Sequence, residues 1–102
     1  MKQKHKSDLY DLPNLGPKSI AHLECIGIHT IKDLQKYGPE KVYDKLCTHY
    51  QTHMHMAFLY VLRAAHSYSM ERIDWEGAKR WWMFRSPQDK DLVIYYKKKF
   101  SK

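Results

Sequence analysis

Leu12-Pro13-Asn14-Leu15-Gly16-Pro17-Lys18-Ser19 reads as a hairpin that opens a helix. Asn14 and Gly16 are residue types that tolerate a left-handed backbone, which β-branched residues resist. Pro17 suits the first helical position, where φ is preset and a missing N–H costs nothing. The backbone N–H groups of Lys18, Ser19 and Ile20 then lack intrahelical acceptors. Free N–H groups, the positive end of a helix dipole, an ammonium and a hydroxyl together make an anion site. In a basic protein the natural anion is a backbone phosphate.

Working outward, Ile20, Leu23 and Ile26 give the inward face of a helix from Pro17 to about Cys25. Gly27 suits a left-handed cap, with Ile28 folding back onto the helix end. Thr30-Ile31-Lys32-Asp33 is close to a capping box, and the helix it starts buries Ile31 and Leu34 before ending at Tyr37-Gly38. Pro39 and Glu40 open the next helix, whose apolar side is Val42, Tyr43, Leu46, Cys47 and Tyr50. Gly16, Gly27 and Gly38 are spaced 11 apart, but the segments between them are too unlike to be a repeat. Thr52 is expected to cap the longest helix, reaching about Tyr68, with Met54, Ala57, Phe58, Val61, Leu62 and Ala65 as its stripe. One further helix is expected from Asp74 to Phe84. Ser86-Pro87-Gln88-Asp89 repeats the cap, proline, acid pattern and opens the last helix, which carries Leu92, Val93, Tyr96 and Phe100. Upstream, Ser7 or Asp8 caps a short helix through Leu12, and residues 1–7 form a flexible basic arm. No segment alternates with period two. The fold expected is all-α, a compact bundle of five to seven short helices in one domain spanning residues 1–102.

The hairpin resembles that of helix-hairpin-helix (SAM-like) DNA-binding modules, with Asn14 where that pattern usually has glycine. Taken with Leu23-x-x-Ile26-Gly27-Ile28-x-Thr30-Ile31-x-Asp33-Leu34, the chain resembles the C-terminal domain of the TfoX (Sxy) competence regulators of bacteria. The likeness runs from about Leu9 to Trp75 and leaves 76–102 as a basic, aromatic helical extension. It implies a cytoplasmic bacterial binding module linked to competence or transcription regulation. The hairpin alone is also similar to the Asn-Leu-Gly-x-Lys-Ser turn that the C-terminal domain of the bacterial RNA polymerase α subunit places at the DNA minor groove.

At 102 residues, with 43% hydrophobic and 14% aromatic residues, the chain can bury a core without disulfides or metals. Cys25 and Cys47 are expected to be reduced, partly buried thiols. No apolar run approaches a membrane span, and the lysine-rich start lacks the apolar region of a signal peptide. A net charge of +7 and a pI near 9.4 favour acidic partners, nucleic acid among them.

The candidate nucleic-acid-binding residues are Asn14, Leu15, Gly16, Lys18 and Ser19, gripping phosphates of double-stranded DNA without reading sequence. The alternative is that the hairpin is a tight connection or a protein contact. Lys79, Arg80 and Arg85 surround Trp81 and Trp82, which suggests base stacking, core packing or self-association as a homodimer. Neighbouring helical positions point about 100° apart, so the two indoles do not both enter one core. Cys47, His49, His53 and His55 fall within nine residues, but a helix break near Gln51-Thr52 spoils the register that metal ligation would need. A surface histidine cluster with no metal is the simpler expectation. There is no phosphate loop, nucleophile elbow or readable carboxylate pair, so neither catalysis nor a cofactor is expected.

Overall fold

The computed structural model describes residues 8–100, and the basic arm expected at 1–7 lies outside them. Every regular element among these residues is helical. A 3-10 turn (Asp8–Asp11) precedes α1 (Pro17–Cys25), α2 (Ile31–Tyr37), α3 (Pro39–Tyr50), α4 (Met56–Ser69), α5 (Trp75–Ala78), a second 3-10 helix (Trp81–Phe84) and α6 (Asp89–Lys99). The all-α expectation stands. Among the described residues no helix is long and apolar enough to cross a membrane.

Local chemistry sets most boundaries. α1 closes with a Schellman motif: Ile28 N–H reaches Leu23 O at 2.9 Å and Gly27 N–H reaches Glu24 O at 3.1 Å. Gly27 adopts φ +87°, which glycine reaches without Cβ strain, and Ile28 is fully buried. At α2 the capping box is complete, with Thr30 Oγ1 accepting Asp33 N–H at 3.1 Å and Asp33 Oδ2 accepting Thr30 N–H at 3.2 Å. Asp33 also accepts the His29 N–H, and that bond leads in holding its carboxyl below the usual range. Gly38, at φ +84° and ψ 159°, ends α2 and begins α3 in one residue.

Four expectations are corrected. Asp8 does not cap a helix through Leu12; its Oδ1 accepts the Ile31 N–H at 2.8 Å, tying the first turn to α2. Thr52 does not cap α4. Gln51 takes the left-handed conformation (φ 51°) and Thr52 N–H bonds to Cys47 O at 3.1 Å, so both residues finish α3. The start of α4 moves to Met56, with His55 Nδ1 accepting Ala57 N–H at 3.0 Å. The helix expected over Asp74–Phe84 breaks at Lys79-Arg80. Gly77 weakens the α-helix, and the tighter 3-10 helix stacks Trp81 and Phe84 at i and i+3 toward α4. Finally, Ser86 delivers only half of the expected pattern: Asp89 Oδ2 accepts the Ser86 N–H at 2.8 Å, but the Ser86 hydroxyl turns to Gln88 and leaves α6 without a side-chain cap.

α4 is the central helix. Leu62 and Ala65 from its expected stripe are fully buried, and so are Leu59 and Ala64. The buried face is wider than the stripe because α3 covers one side and the Trp81–Phe84 helix another. Leu9, Leu12, Leu15, Ile20, Leu23, Ile28, Leu34, Val42, Tyr43 and Leu46 complete the core. α6 docks by separate pins. Arg63 forks onto Asp89 through two 2.8 Å bonds and also reaches Phe84 O and Glu40. Tyr96 OH donates to Asp44 Oδ1 at 2.7 Å, and its ring stacks on His53 at 5.4 Å between centroids.

Candidate nucleic-acid interface

The hairpin is built by burying its ends. Leu12, Pro13 and Leu15 face the core, which forces the chain to reverse over Asn14. Asn14 adopts φ 67°, the left-handed conformation expected of it. Its Nδ2 donates to Ala78 O at 2.8 Å, fastening the turn to the end of α5. A glycine there would adopt the same backbone but could not make that tie. Gly16 departs from expectation: it sits at φ −98° and ψ −178°, an extended conformation open to any residue. An added Cβ would meet nothing within 4 Å. Neither backbone geometry nor packing within the chain requires glycine at 16.

α1 therefore starts on a bare N-cap. The first intrahelical bond is Ile20 N–H to Gly16 O at 3.0 Å, so Ile20 is satisfied while the N–H groups of Lys18 and Ser19 precede the ladder. Gly16 offers no side chain to them. Among the described α-helices, only α1 has neither a capping side chain nor an acid in its first turn. Lys18 is exposed and Ser19 half-buried beside those N–H groups. Leu15 is buried, so its side chain faces away from any anion. The arrangement can hold a singly contacted phosphate oxygen by backbone N–H, dipole and ammonium.

Trp81 and Trp82 stand apart from the core of this site but close in sequence to its tie at Ala78. Trp81 is half-buried, Trp82 is exposed, and the two indoles meet edge to face at 5.8 Å between centroids. Beside them a shallow groove of about 820 Å³ is lined by Tyr60, Trp82, Met83, Arg85, Lys90 and Val93.

The histidines part company. His49 is exposed and packs edge-on against Tyr50 at 4.7 Å, and His55 caps α4. His53 leaves the surface cluster expected of it: it lies between Tyr43 and Tyr96, and its buried Nε2 meets no hydrogen-bond partner. Burial, with Lys97 and His55 nearby, pushes its pKa down. No three histidine, cysteine or acidic residues among the described positions converge on one point. Both cysteines are free; Cys25 is exposed rather than partly buried, and burial pushes the Cys47 thiol up.

A family model described as Cdd1, pathogenicity locus, matches residues 2–90. The chain belongs to the Cdd1 family. No curated protein and no solved structure matches it. The TfoX assignment is thereby corrected. The residues that carried that likeness make a hairpin, a Schellman turn and a capping box. These are local backbone solutions that unrelated chains reuse, so by themselves they do not fix a family. The Cdd1 match also continues past Trp75 through α5, both tryptophans and Asp89, the region where the TfoX likeness had stopped.

Proposed function

We propose that this Cdd1-family chain is a non-enzymatic binding module that grips the phosphate backbone of double-stranded DNA through the hairpin from Asn14 to Ser19. The observation that carries the reading is the uncapped, acid-free start of α1 beside Lys18. Asn14 acts by position, holding the turn against Ala78. Gly16 leaves the N–H groups open to an incoming oxygen, and Lys18 and Ser19 complete the contact. Such contacts fix position without reading bases, and they weaken as salt rises. A protein contact through exposed Trp82 and Met83, with no DNA affinity, is the second reading, favoured by that exposure.

The test is fluorescence anisotropy with a labelled blunt duplex at two salt concentrations. Lys18→Glu should weaken binding about tenfold and flatten the log–log salt slope by roughly one phosphate contact. Gly16→Asp is more diagnostic. Its carboxylate can cap the same N–H groups, raising stability by about 0.5 kcal/mol while excluding the phosphate. Lys41→Glu, on the exposed side of α3, sets the baseline for one reversed surface charge. A Gly16→Asp protein that is stabilised yet binds duplex like wild type would remove the hairpin from the interface.

A further inference from the structure

The groove beside Trp82 combines exposed apolar surface with cations. Trp82 is 52% exposed and Met83 is 65% exposed, unusually open for such large side chains. Trp82 is nevertheless braced, since the half-buried Trp81 meets it edge to face. Its groove contributes Tyr60 as a second aromatic wall and Arg85 and Lys90 as exposed cations, while Arg80 lines the neighbouring hollow. Asp89 is the acid in the lining, and Arg63 already neutralises it through a bidentate pair. Glu76 faces a neighbouring hollow on the other side of Met83.

A braced aromatic platform inside a cationic groove suits an anion that carries flat rings. A second copy of this chain is a poor occupant. A two-fold contact would set Arg85 and Lys90 against their own counterparts in a protein of net charge +7. The groove is joined to the hairpin through the chain between Ala78 and Trp82. Asn14 is bonded to Ala78, and chain reach keeps the Trp82 Cα within about 14 Å of the Ala78 Cα.

We infer that this groove binds single-stranded nucleic acid, stacking an unpaired base on Trp82 while Arg85 and Lys90 meet the flanking phosphates. The inference rests on the hairpin reading for its choice of nucleic acid over an acidic peptide. Together the two sites would place the chain at a junction, with duplex at the hairpin and the unpaired strand on Trp82.

The experiment compares three labelled probes: a blunt 12-base-pair duplex, the same duplex with a ten-thymidine overhang, and the ten-thymidine strand alone. The overhang should tighten binding about tenfold and quench tryptophan fluorescence. Trp82→Ala should abolish that increment and leave blunt-duplex affinity unchanged, while Trp82→Tyr should restore part of it. Circular dichroism confirms folding, which the exposure of Trp82 favours. An overhang that adds nothing, or an increment that survives Trp82→Ala, overturns the inference and leaves the hairpin reading standing. A thymidine strand bound through Trp82, with no blunt-duplex binding, supports the groove and sinks the hairpin instead. A ten-residue polyglutamate peptide that displaces the strand at equal concentration overturns the inference in favour of an acidic protein ligand. Dimerisation in sedimentation that Trp82→Ala abolishes, without nucleic-acid binding, overturns it in favour of a second copy.

Discussion

Replacing Asp89 with asparagine keeps its shape and deletes its charge. Asp89 is 8% exposed and Arg63 is 14% exposed, so the pair is largely withdrawn from water. Arg63 gives Asp89 two bonds of 2.8 Å, and Asp89 Oδ2 also accepts the Ser86 N–H at 2.8 Å. Breaking a fully buried pair from one side costs about 3–5 kcal/mol. Here Glu40 still faces Arg63 at 2.8 Å from a more exposed position, and Phe84 O still accepts from it, so about 2–3 kcal/mol is expected. For a domain of this size that lowers Tm by roughly 10–20 °C. The pH dependence gives a second check. The Arg63 guanidinium holds the Asp89 carboxyl below its ordinary value, ahead of an opposing burial effect. A depressed carboxylate stabilises the fold fully above its unfolded pKa, near 4, and loses that contribution as pH falls through the folded value. The deficit of Asp89→Asn should therefore be constant from pH 7 to about 5 and shrink below about 4. Urea unfolding followed by circular dichroism at pH 7 and pH 3 measures both. A deficit under 0.5 kcal/mol at pH 7, or one equally large at pH 3, would refute the view of Arg63–Asp89 as the pin that holds α6.

Gly38→Ala should cost about 1–3 kcal/mol, because φ +84° with ψ 159° is a region only glycine occupies freely, although its Cβ would find open space. Thermal unfolding checks it, and a neutral result would mean the α2–α3 joint relaxes. His53→Phe keeps a ring against Tyr96 and removes the buried, unpartnered Nε2. Because the folded pKa of His53 is lowered, wild type should lose stability as pH falls below about 6.5, where the unfolded imidazole takes a proton first. His53→Phe should flatten much of that loss, with His66, also lowered by burial, supplying the remainder. Equal denaturant midpoints shifts for both proteins between pH 7 and 5.5 would assign the effect elsewhere.

What the sequence made legible was local. The Gly27 turn, the Thr30–Asp33 capping box and the Pro39 helix start each depend on residues within six positions, so pattern alone finds them. The misreadings share the opposite cause. Asp89 stands in the first turn of α6 as expected, but its pairing with Arg63, 26 residues away, has no local signature. Asp8 looked like a cap because its acceptor role involves Ile31, 23 residues on. Thr52 lost its expected role because the left-handed Gln51 extends the end of α3, and non-glycine residues seldom announce that conformation. At the hairpin, pattern supplied the Asn14 conformation and the Pro17 start. It did not supply the side-chain tie to Ala78 or the spare room around Gly16. A basic run beside two tryptophans was visible, but the pairing of Trp82 with Tyr60 and Lys90 required the fold.

The bond between Asn14 and Ala78 also orders events in time. It closes a separation of 64 residues. Loop entropy for that span is roughly 4 kcal/mol, against about 1 kcal/mol for one hydrogen bond. The bond therefore forms only after packing of α2 through α4 has brought its ends together. On a ribosome adding about 5–20 residues per second, Ala78 follows Asn14 by roughly 3–13 s. The hairpin is synthesised early and completed late, and a nascent chain stopped short of α5 can bury Leu12 and Leu15 but lacks the bond that fastens Asn14.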